Sequence, residues 1–129
     1  MKARANDRKE AVVTVKVASE GAVREVTLAR GEKRNALVAD MLASLTEAFT
    51  GPPAARERVT VIRAEGPVFC AGLDLRERRG GVIGSSAIET MLRAIELYPV
   101  PVVAVVQGDA IAGGNELAWI GWRALKPST

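Results

Sequence analysis

Val100-Pro101-Val102-Val103-Ala104-Val105-Val106 restricts the fold more than any other segment of this chain. It is rich in β-branched residues, bounded by proline and glycine, and apolar at every position, so no alternation separates a dry face from a wet one. Such a run reads as a strand covered on both faces, the pattern of parallel sheets flanked by helices. Val102 to Val106 is also the longest apolar stretch, far too short to span a membrane.

The rest of the chain agrees with that class. Glu10 to Ala18 alternates around Val13, Val15 and Val17, as a half-buried strand does. Ser19-Glu20-Gly21 marks a turn, and Val23, Val26 and Leu28 continue on a second strand, which makes a hairpin. Gly31-Glu32-Lys33-Arg34-Asn35 is a polar connection. Between Ala36 and Phe49 the residues Leu37, Val38, Met41, Leu42, Leu45, Ala48 and Phe49 keep helical spacing, and Gly51-Pro52-Pro53 stops that helix. Val59, Val61 and Ile62 form a further strand. Ser86-Ala87-Ile88-Glu89 fits a capping box, and Ile88, Met91, Leu92 and Ile95 give a helical stripe that ends before Tyr98-Pro99. The order is strand, strand, helix, strand, helix, strand, helix.

With 129 residues, 48% of them hydrophobic and 26% charged, the chain has the length and composition of one globular domain. It contains no histidine, which excludes Ser-His-Asp and Cys-His catalysis and histidine-ligated metals within the chain. Its single cysteine, Cys70, can form neither an internal disulfide nor a multi-thiolate metal site. The first ten residues are too charged for a signal-peptide core, so the reading is cytoplasmic with no membrane partner. Eighteen basic residues against 15 acidic ones give a net charge of +3, interspersed and without aromatic interleaving. Nucleic acid is therefore not an expected partner.

Two glycine-containing turns follow apolar strands. The first is Phe69-Cys70-Ala71-Gly72-Leu73-Asp74-Leu75, whose small residues let a ligand approach the backbone closely. The second contains Gly113-Gly114, where free N–H groups at a helix start can face an oxyanion. Two such N–H groups converging on one oxygen make an oxyanion hole. Taken singly, either turn also fits glycines that pack a strand-helix corner. Neither has the glycine and lysine spacing of a phosphate loop or dinucleotide fingerprint.

Three segments in order carry a family resemblance. They are Lys33-Arg34-Asn35-Ala36-Leu37, then 66–75 (Gly-Pro-Val-Phe-Cys-Ala-Gly-Leu-Asp-Leu), then 101–118, which ends Ala112-Gly113-Gly114-Asn115-Glu116-Leu117-Ala118. From about residue 12 to residue 118 the chain resembles the crotonase (enoyl-CoA hydratase/isomerase) superfamily. The resemblance implies an α/β fold built as a spiral of ββα turns, incomplete here, that binds acyl-CoA thioesters of the kind met in fatty acid metabolism. It implies no cofactor, since CoA is part of the substrate. Carried over by position, the backbone N–H groups of Leu73 and Gly113 form the oxyanion hole for the thioester oxygen and stabilise an enolate. Arg34, Ala36, Ala71, Asp74, Leu75 and Ala112 match positions that line the CoA or acyl path. Glu116 matches one of two glutamates that hydratases use for acid-base chemistry, while a solvated first-turn glutamate favoured by the helix dipole is the alternative.

Other conspicuous residues have plainer readings beside functional ones. Cys70 fits a small buried hydrophobe as well as a reactive thiol. Asp74 can order its turn instead of titrating. Arg76, Arg78 and Arg79 fit a solvated charged loop or CoA phosphate contacts, and Arg30, Lys33 and Arg34 stand closer to the CoA region that the resemblance implies.

The match stops after Ala118, and residues 119–129, with both tryptophans, Gly121 and Pro127, form a tail of a different pattern. The chain thus reads as the N-terminal half of such a domain (1–118) plus a tail, without the second glutamate. Three functions follow: an acyl-CoA hydratase or isomerase impaired or inactive in turnover, a non-catalytic CoA-thioester binding module, or a half-subunit completed by another chain. Self-association is expected, without the family's trimer. The apolar 102–106 strand is expected to lack its usual cover.

Overall fold

The computed structural model describes residues 13–106, apart from 71, 73, 75, 77, 78 and 82–84. A four-stranded sheet is built from β1 (Val15–Glu20), β2 (Val23–Leu28), β3 (Val59–Ala64) and β4 (Val102–Ala104), in spatial order β1-β2-β3-β4. The first two strands are an antiparallel hairpin, with Glu20 opposite Val23 and Val17 opposite Val26. Gly21 takes φ +63°, the left-handed conformation that so tight a turn requires at little cost only from glycine. Strand β3 then pairs parallel to β2, and β4 parallel to β3. The helices α1 (Ala39–Ala48) and α2 (Ser85–Glu96) occupy the two crossovers that parallel pairing demands.

Both helices cover one face of the sheet. Val26 and Leu28 of β2, Ile62 and Ala64 of β3, and Val102 and Ala104 of β4 are buried against Met41, Leu42, Leu45 and Phe49 on one side of α1, and Met91 and Ile95 on one side of α2. The opposite face is wetter. Val103 is half-buried and Val105 is 41% exposed, so among the described residues the 102–106 run is covered on one face, where its composition suggests cover on both. Its regular part is three residues long, because Val105 N–H bonds Ile62 O at the end of the β3 ladder and no further pairing with β3 follows. Nor is β1 half-buried along its length: Val15 packs on the core, whereas Val13 and Val17 are exposed.

Strand parity places Arg24, not Val23, on the same face as Val26 and Leu28. Its guanidinium lies between two aromatic rings, 4.9 Å from the Phe49 centroid and 4.8 Å from that of Tyr98. One of its nitrogens donates to Ala48 O at 2.6 Å, and Nε stands 3.4 Å from Glu57 Oε2. That carboxylate also accepts the Thr60 hydroxyl at 2.5 Å and the Tyr98 hydroxyl at 2.7 Å, and the Ala54 N–H bonds its other oxygen. A buried ion pair thus ties the end of α1, the entry to β3 and the exit of α2 together, with one guanidinium nitrogen of Arg24, Nη2, buried without a hydrogen-bond partner.

Two element boundaries differ from the sequence reading. The first helix starts at Ala39 and not Ala36, because Leu37 is held in an extended bridge described below and Val38 remains extended at φ −111°, ψ 167°. Ser86 lies inside α2 instead of capping it, and its carbonyl receives the Thr90 hydroxyl at 2.8 Å, as an in-helix carbonyl does. Among the described residues no helix is long and apolar enough to cross a membrane.

Candidate functional site

Parallel pairing brings the C-terminal ends of β2, β3 and β4 to one edge of the sheet, where ligands of open α/β sheets commonly bind. Two loops leave this edge, 29–38 after β2 and the one after β3, of which 65–70, Gly72 and Asp74 are described, and the chain leaves β4 at the same edge.

The first loop begins with a 3₁₀ turn, Gly31–Lys33, followed by two consecutive left-handed residues, Arg34 at φ 56° and Asn35 at φ 54°. Asparagine tolerates this conformation; for arginine it costs about 1–2 kcal/mol, which the surroundings must offset. Asn35 supplies that support. It is fully buried, its Oδ1 accepts the Arg30 N–H at 2.7 Å, and its Nδ2 donates to Glu65 O and Val68 O, each at 2.9 Å. Leu37 then bridges to the second loop on both sides of position 73: its N–H donates to Gly72 O and its carbonyl accepts from Asp74 N–H, both at 2.7 Å.

Arg30 reinforces the same junction. Its Nη1 donates to Ala36 O at 2.5 Å, and its guanidinium stands 3.5 Å from Asp74 Oδ2, with both side chains 12% exposed. Asp74 in turn accepts the Arg76 N–H at 3.0 Å. Asp74 therefore orders its turn, and Arg30 is engaged within the fold. Lys33, Arg34, Arg76 and Arg79 are exposed, and Ala36 is half-buried. The thiol of Cys70 is buried and donates to Asn35 O at 3.2 Å. Burial pushes it above the ordinary cysteine value of 9.0, as in an inert packing cysteine.

Of the residues singled out in the sequence, the structure brings Arg34, Ala36 and Asp74 into this one edge. Ala71, Leu73, Leu75, Ala112, Gly113 and Glu116 lie outside the described residues, as do Arg78 and the two tryptophans. The sequence reading did not single out Asn35 as an organising residue. The signal was there: an asparagine between charged residues and an apolar helix face is a standard holder of a left-handed turn. Among the described residues no group of three or more metal-ligating side chains comes together.

Residues 18–121 match the enoyl-CoA hydratase/isomerase family profile. The chain is 38% identical over 109 residues to a probable mitochondrial enoyl-CoA hydratase 2 of Arabidopsis thaliana, covering 78% of this chain and 36% of the plant protein. Among solved structures it is similar to an enoyl-CoA hydratase from Bacillus anthracis, with TM-score 0.76, 30% identity, and coverage of 84% of this chain and 45% of that one. A second is an enoyl-CoA hydratase-like protein from Rhodopseudomonas palustris, with TM-score 0.74, 36% identity, and coverage of 83% and 43%. The chain spans less than half the length of each of these relatives.

Proposed function

The chain belongs to the enoyl-CoA hydratase/isomerase family, and from that premise we propose that it binds acyl-CoA thioesters at the loop edge of its parallel strands. The observation that carries this reading is Leu37, whose two backbone hydrogen bonds fix the residues on either side of position 73. A backbone N–H at Leu73, joined by that of Gly113, donates to the thioester oxygen. Negative charge that develops there when a proton leaves the neighbouring carbon is stabilised by both donors, each worth about 2.7–4 kcal/mol in the transition state. No side chain takes part in that contact, so leucine at 73 is compatible with it. Arg34 and Ala36 at the first loop, with Ala71, Asp74, Leu75 and Ala112, border the CoA and acyl path.

In this reading Glu116 moves the proton, as general acid or base for water addition or double-bond shift, and CoA is part of the substrate, with no further cofactor. A second reading is that the chain binds thioesters without turnover or is completed by another chain. An enoyl-CoA hydration assay on the purified chain separates the two. Turnover abolished by Glu116→Gln supports catalysis. Thioester binding with no turnover supports the binding module, and turnover at about 1–10³ s⁻¹ that survives Glu116→Gln contradicts the assignment of Glu116. A cytoplasmic location belongs to the same proposal, and cell fractionation tests it.

A further inference from the structure

The loops after β2 and β3 meet through two glycines. A Cβ on Gly31 would stand 3.1 Å from Glu65 O, and one on Gly66 would stand 3.2 Å from Gly31 Cα. Contact this close between backbone atoms needs a fastening beside the apolar packing of Leu37, Phe69 and Cys70. Asn35 is that fastening. Its amide oxygen holds the Arg30 end of the first loop, and both donors of its NH₂ are used on the second, at Glu65 O and Val68 O. Its own carbonyl takes the Cys70 thiol, two residues before Gly72. Two residues beyond Asn35, Leu37 bridges Gly72 and Asp74.

We infer that Asn35 is a positioning residue for the thioester carbonyl: by clamping loop 65–70 to loop 30–36 it sets where Leu37 holds Gly72 and Asp74, the two neighbours of the donor read at position 73. The inference rests on the reading of position 73 as a carbonyl donor. Asn35 touches no substrate in it and acts through Leu37. A hydrogen bond to a carbonyl oxygen weakens steeply as its angle falls, so a loop displaced by a few tenths of an ångström at Glu65 changes the polarisation of a bound carbonyl before it changes the fold. A residue with only a packing role would alter stability and leave that polarisation alone.

The test uses the full chain and hexanoyl-CoA labelled at the thioester carbonyl carbon, followed by NMR at saturating protein. A carbonyl that accepts a strong hydrogen bond moves downfield, and the displacement per bound ligand does not depend on how much protein is folded. Asn35→Asp keeps the acceptor for Arg30 N–H but replaces both donors with a carboxylate facing two carbonyl oxygens. Its bound ligand should lose most of the wild-type displacement, with affinity reduced roughly two- to tenfold, one hydrogen bond's worth. Should Asn35→Asp fail to fold, Gly31→Ala forces the loops apart with Asn35 intact and should reduce the displacement in the same direction. Full displacement in a folded Asn35→Asp with a lowered melting temperature overturns the inference, as does full displacement in Gly31→Ala where the aspartate variant does not fold. Saturable binding by wild type with no displacement overturns the donor reading of position 73, and this inference with it.

Discussion

Tyr98, at the exit of α2, donates its hydroxyl to Glu57 Oε2 at 2.7 Å, joining residues 41 positions apart in the chain. The ring that carries this hydroxyl also meets Phe49 edge-on, at 5.2 Å between centroids and 86° between planes. One side chain therefore serves the buried carboxylate and the aromatic sandwich around Arg24.

Tyr98→Phe keeps the ring and removes the donor. It should lower the unfolding free energy by about 1–3 kcal/mol, the cost of leaving a buried charged acceptor one partner short. Burial, together with the bond to Glu57, pushes the Tyr98 phenol from 10.0 up to about 12. A proton held more tightly in the folded state stabilises the fold fully below the ordinary value, and that contribution is lost as pH rises through the folded one. Urea unfolding of wild type should accordingly weaken between pH 10 and 12, and the phenylalanine variant should lack that component.

Glu57 titrates in the opposite sense. Burial works against its charge, but the hydroxyls of Thr60 and Tyr98, the Ala54 N–H and the Arg24 charge together hold the carboxyl below its ordinary 4.5. Its contribution is fully present above that value and is lost as pH falls through the lower folded one. Glu57→Gln should cost about 3 kcal/mol at neutral pH, since Arg24 is then buried without its counter-charge. The same variant should flatten the acid limb of the stability profile, read by thermal melts at stepped pH.

The sheet's edges point to association. Val17 on edge strand β1 is 51% exposed beside an unbroken run of six strand residues. Val17→Lys places a charge where strand-to-strand pairing would bury it. Sedimentation of wild type should show mass rising with concentration, and the lysine variant should shift toward monomer with unchanged circular dichroism. An unchanged mass distribution would remove β1 as the associating edge.

Much of this architecture was legible because periodicity reports burial. The alternation through Val26 and Leu28, the stripe of Met41, Leu42 and Leu45, and that of Met91 and Ile95 each name their own core face. What periodicity does not report is pairing between distant segments. Leu37 fits a helical stripe, yet its hydrogen bonds go to Gly72 and Asp74, and this removes three residues from the start of α1. Arg24 could have been found by parity, as the charged residue on the Val26 face, but its partner Glu57 lies in a connection with no pattern of its own. Asn35 was visible as part of a motif, and its role was not, since both of its carbonyl acceptors lie 30 or more positions away. Of the proposed site, the sequence motifs alone supply Leu73, Gly113 and Glu116.

The most direct test of thioester binding by backbone donors is calorimetric titration of hexanoyl-CoA into wild type, Leu73→Ala and Gly113→Pro. Proline at 113 removes an N–H and distorts its turn, whereas alanine at 73 leaves the backbone donor in place. Wild type and Leu73→Ala should bind with nearly equal affinity, and Gly113→Pro should bind weakly or not at all. Equal binding by all three proteins, or none by wild type, would contradict the account.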